Sequence, residues 1–169
     1  YNGVWDQYSS RVLKNIESPF PQINGNIFFY GNDGTHGIEL WKSDGTAQGT
    51  SMVKDINLKP GVGMADSPYI RTIVKNDNKL IFFATDTTYG DEIWISDGTE
   101  TGTQLIKELA PGNMHGITGG EYYLNYDNKV LFTIGLSLYI TDGTPTNTKI
   151  ISSNTYIQSN DFAYFNNKL

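Results

Sequence analysis

Asp44, Asp97 and Asp142 each stand directly before a glycine and a threonine, and each lies three residues after an aromatic: Trp41, Trp94 and Tyr139. Recurrent carboxylates could serve general acid–base chemistry, and recurrent aromatics could form a platform for sugar rings. Two loops, Asn32-Asp33-Gly34-Thr35 and Asp86-Thr87-Thr88-Tyr89-Gly90-Asp91-Glu92, gather oxygen ligands of the kind calcium accepts. Neither loop has the spacing of an EF-hand or of the nonapeptide calcium repeat. His36 and His115 have no repeated partner, and a zinc site needs at least three convergent ligands. No Gly-x-Ser-x-Gly elbow, P-loop or dinucleotide fingerprint occurs. Gly116-Ile117-Thr118-Gly119-Gly120 is rich in glycine, yet lacks the lysine and helix signal of a phosphate cradle.

The elements around these residues favour architecture over chemistry. Glu39-Leu40-Trp41-Lys42-Ser43-Asp44-Gly45-Thr46-Ala47-Gln48-Gly49-Thr50 returns as Glu92-Ile93-Trp94-Ile95-Ser96-Asp97-Gly98-Thr99-Glu100-Thr101-Gly102-Thr103. A worn copy, Ser137-Leu138-Tyr139-Ile140-Thr141-Asp142-Gly143-Thr144-Pro145-Thr146-Asn147-Thr148, follows without the glutamate. Upstream of each lies a turn group and an apolar run: Ile27 to Tyr30, Leu80 to Ala84, and Val130 to Ile134. Downstream come Met52-Val53-Lys54-Asp55-Ile56, Leu105-Ile106-Lys107-Glu108-Leu109 and Lys149-Ile150-Ile151, with Pro60-Gly61 and Pro111-Gly112 after the first two. Repeats at about 50 residues read as blades or solenoid turns, each needing a neighbour to bury its apolar face. Strand signals separated by Asn-Gly, Asp-Gly and Pro-Gly turns predict four strands per unit, near 69–74, 80–85, 92–96 and 103–109 in the second copy. Glycine after each aspartate supplies the positive φ of a tight turn.

Composition fits an all-β chain. The 169 residues include 18 Gly, 11 Tyr, 8 Phe and 3 Trp, with 18% charged. Cysteine is absent, which excludes disulfides and thiolate metal sites. A formal net charge of −6 with scattered lysines and arginines argues against nucleic-acid binding. No apolar run approaches the roughly 20 residues of a membrane-spanning helix.

The phrase resembles a bacterial repeat family written ELWxxDGTxxGTxxVKDI. Glu39 to Ile56 matches it nearly residue for residue and Glu92 to Leu109 closely. The third copy departs at Tyr139, Pro145 and Asn147. The resemblance implies β-propeller-like repeats of secreted or surface-anchored bacterial proteins. The expected fold is all-β, a partial propeller of about three four-stranded antiparallel blades, excerpted from a longer chain. Residues 1–23 would end a preceding degenerate blade, 24–75 form blade 1, 76–125 blade 2, 126–160 a degenerate blade 3, and 161–169 open a further repeat. An open, solenoid-like stack is the alternative architecture.

The expected structural motif is Trp41, Asp44, Gly45, Thr46, Gly49 and Thr50, with Trp94, Asp97, Gly98, Thr99, Gly102 and Thr103. In the third copy it is Tyr139, Asp142, Gly143 and Thr144. No catalytic residue, metal or cofactor is expected. The expected role is a non-catalytic scaffold or recognition module, extracellular or on the bacterial surface, in adhesion or protein assembly. Its partners would be other repeats of the same chain and a surface protein or glycan, with no nucleic acid and no membrane span in this segment. A glycan-acting hydrolase or lyase with its site in a propeller channel is one alternative. An exported cargo segment bound to secretion or surface machinery is another.

Overall fold

The structure is a computed structural model that describes residues 20–58, 73–109 and 123–153. The described residues contain no helix. They form twelve strands in three four-stranded antiparallel sheets. The first sheet comprises β1 (Gln22–Ile23), β2 (Asn26–Asn32), β3 (Ile38–Ser43) and β4 (Ser51–Lys54). The second comprises β5 (Val74–Asn76), β6 (Lys79–Asp86), β7 (Gly90–Ser96) and β8 (Gln104–Lys107). The third comprises β9 (Tyr123–Tyr126), β10 (Lys129–Ile134), β11 (Ser137–Thr141) and β12 (Lys149–Ser152). In each, neighbours in sequence are neighbours in the sheet. Among the described residues the sheets are open and form no closed ring.

Each sheet begins slightly ahead of the boundary drawn from its turn residues, at Gln22, Val74 and Tyr123 rather than at 24, 76 and 126. The reason is that Asn24-Gly25, Asp77-Asn78 and Asp127-Asn128 are the two-residue turns of the first hairpin, so the strand before each belongs with the strand after it. Asn24, Asp77 and Asp127 carry positive φ values of 51°, 55° and 48°, as asparagine and aspartate tolerate. The segment expected as a strand from Tyr69 lies largely outside the described residues, as do residues 1–19, His115, the 116–120 loop, both Pro-Gly turns and 161–169.

Alternation of side chains across a strand explains why the apolar runs are continuous. Leu80, Phe82 and Ala84 point to one side of β6 and join Trp94 with Phe28, Leu40 and Val53 of the first sheet. Ile81 and Phe83 point to the other side and join Ile93 and Ile106 with Val130 and Phe132 of the third sheet. The second sheet is thus covered on both faces. Each interface is a separate apolar cluster.

A register shift recurs at one place in all three sheets, between Leu40 and Trp41, Ile93 and Trp94, and Leu138 and Tyr139. Leu40 pairs with Lys54 and Trp41 with Met52, leaving Val53 as the extra residue; Ile106 holds the same place in β8. A bulge of this kind re-aims the side chains beyond it. Val53 and Lys54, although consecutive, therefore both serve the interface with the next sheet. Val53 is buried in the shared cluster, while Lys54 Nζ donates to the carbonyl of Thr103 at 2.8 Å. Lys107 Nζ repeats the bond with the carbonyl of Thr148, also at 2.8 Å.

Candidate functional site

The Asp-Gly-Thr phrase folds into a closed seven-residue loop between the third and fourth strands of each sheet. Asp44 Oδ1 accepts from the Thr46 backbone N–H at 2.9 Å and the Thr46 hydroxyl at 2.7 Å. Asp97 accepts the same two bonds from Thr99, and Asp142 from Thr144. Gly45, Gly98 and Gly143 follow with φ of 93°, 86° and 91°, a region that disfavours any side chain. The loop is not the tight hairpin turn expected from the Asp-Gly pair. It is longer because the chain must also bring Thr50 back to Ser43.

That return is secured by a hydroxyl pair at the base. Ser43 Oγ lies 2.7 Å from Thr50 Oγ1, Ser96 Oγ 2.7 Å from Thr103 Oγ1, and Thr141 Oγ1 2.6 Å from Thr148 Oγ1. Thr50, Thr103 and Thr148 also donate to the carbonyls of Thr46, Thr99 and Thr144. Gly49 and Gly102 sit beneath the aspartates, and a Cβ on either would overlap the carboxylate. In the third loop Asn147 occupies that place and donates through Nδ2 to Asp142 Oδ2 at 2.6 Å.

These bonds favour the charged aspartate. The threonine side-chain bond is the largest cause holding Asp44, Asp97 and Asp142 below the usual carboxylate range. Such carboxylates are poor proton donors, and the Oδ1 of each is taken up by its own loop.

Glu39 and Glu92 are fully buried. Glu39 Oε1 accepts from the Asn57 backbone N–H at 3.0 Å, and Glu92 Oε2 from that of Leu109 at 2.6 Å. Each glutamate anchors the chain where it leaves the fourth strand. Ser137 replaces it in the third copy.

The aromatics are packed rather than presented. Trp94 is 7% exposed within the first cluster, with Lys54 Nζ 6.0 Å from its ring centre. Trp41 lies against Gly31. Tyr139 stacks on Phe132 with ring centres 5.3 Å apart. A sugar platform needs an open ring face, and Trp94 offers none.

The loops with calcium-like composition are closed by their own backbone. Asn32 Oδ1 accepts from Gly34, Asp33 Oδ1 from Thr35 and His36, and Asp86 Oδ1 from Thr88 and Tyr89. Among the described residues no group of three or more His, Asp or Glu is arranged to hold a metal ion. Among those residues no helix is long and apolar enough to cross a membrane.

Asp33 and His36 form an exposed pair, Nδ1 to Oδ2 at 2.6 Å. Bonds from the His36 backbone and side chain hold Asp33 well below the usual carboxylate range, and the Asp33 side-chain bond raises His36 above 6.5. The aspartate's contribution is present above its unfolded value of 3.8 and fades as pH falls through the lowered one. The histidine's contribution is complete below 6.5 and is lost as pH rises through the raised value. The loop is therefore held best between those limits. His36 should titrate by NMR with a midpoint above 6.5, and Asp33→Asn should bring it back toward 6.5; an unchanged midpoint would contradict the pairing.

Sequence reasoning located the repeated phrase but did not single out Lys54, Lys107, Glu39 or Glu92 as connectors. Their signal is the recurrence of Lys after two apolar residues and of Glu before Leu-Trp or Ile-Trp. No protein-family model matches the chain, and neither a curated protein nor a solved structure matches it.

Proposed function

We propose that this chain is a non-catalytic, propeller-like repeat scaffold of a secreted or cell-surface bacterial protein, serving adhesion or protein assembly. The ELWxxDGTxxGT resemblance supports the location and the blade-like reading. The observation that carries the role is where the repeated polar groups are used. The aspartates close their own loops, the glutamates hold their own backbone, and the lysines tie each sheet to the next. Repetition of such bonds builds an array in which each unit stabilises its neighbour. Recognition then falls to the loops between the second and third strands, 33–37, 87–89 and 135–136, which differ from copy to copy while the frame stays constant.

The test is incubation of the folded protein with a panel of bacterial and host polysaccharides, with release of reducing ends measured. No release above buffer is expected. Release that disappears in Asp91→Asn or Asp86→Asn, with the melting temperature unchanged, would overturn the scaffold reading in favour of a glycan-acting enzyme. Labelling of intact cells with an antibody to the native protein tests the location, and labelling only after lysis would contradict it.

A further inference from the structure

We draw no further inference here: the strongest candidate, the acidic side-chain cluster of Asp33, His36, Asp86 and Asp91 where the second strand turns into the third in the first two sheets, carries nothing because its hydrogen bonds close its own hairpins and no second observation among the described residues points to a ligand there.

Discussion

Replacing Phe82 with alanine should destabilise the chain by about 3–5 kcal/mol, the usual cost of removing a fully buried aromatic. Phe82 has 0% exposure and stands at the first joint, between its own sheet's Leu80 and Trp94 and the first sheet's Phe28 and Leu40. Truncation removes apolar area from both sheets and leaves a cavity that two rigid sheets can close only in part. Because domains of this size are stable by only about 5–15 kcal/mol, the loss takes a large share of the total. Leu58→Ala is the control. Leu58 is 70% exposed, and its truncation should stay within about 0.5 kcal/mol. Urea unfolding followed by tryptophan fluorescence measures both. A cost below about 1 kcal/mol for Phe82→Ala would mean that the first joint contributes little, contrary to its burial.

Gly102→Ala should cost about 1–3 kcal/mol, in the range of overpacking in a tight site, and Gly102→Asn should cost less. This order reverses the usual ranking by size. An alanine Cβ at 102 overlaps the Asp97 carboxylate, and moving that carboxylate breaks its bonds from the Thr99 backbone and hydroxyl. The methyl group returns nothing in exchange. Asparagine meets the same crowding, yet its amide can donate to the displaced carboxylate. The third loop contains that solution: Asn147 Nδ2 lies 2.6 Å from Asp142 Oδ2 while Asp142 keeps both bonds from Thr144. It carries a small penalty, since the Asn147 backbone N–H reaches Thr144 Oγ1 at 3.4 Å where Gly102 reaches Thr99 Oγ1 at 3.0 Å. Thermal unfolding of the two variants side by side checks the order. Asparagine proving the worse of the two would show that the third loop's arrangement does not transfer.

Much of the frame was legible in the residues because it is written in local chemistry. Asn24-Gly25 and Asp127-Asn128 announce two-residue turns, and Leu80 to Ala84 announces a strand covered on both faces. The Asp44-Gly45-Thr46 order announces a turn, but as a tight hairpin rather than the seven-residue loop that forms. The exact extent of each sheet was less legible, since a strand of two or three residues such as Gln22–Ile23 is defined by its partner rather than by its composition. The bulge at Val53 and Ile106 was invisible for the same reason. A run such as Met52-Val53-Lys54 fits an unbroken strand equally well, and only the pairing of Leu40 with Lys54 reveals the extra residue. The lysine links were hidden one step deeper. Lys54 and Thr103 are 49 residues apart, and only stacking of one sheet on the next brings them together. The connectors between units arise from packing, whereas the loops arise from sequence.

Lys54 and Lys107 join each unit to the one after it, and amide hydrogen exchange of Lys54→Met and Lys107→Met reads that linkage. Methionine keeps most of the lysine stem and removes the charged donor, so each strand retains its apolar packing. Faster exchange should appear in the following unit's loop, at 97–103 for Lys54→Met and at 142–148 for Lys107→Met. β4 and β8 themselves should change little. Faster exchange confined to the mutated strand, or no change in either loop, would mean that these lysines do not join the units.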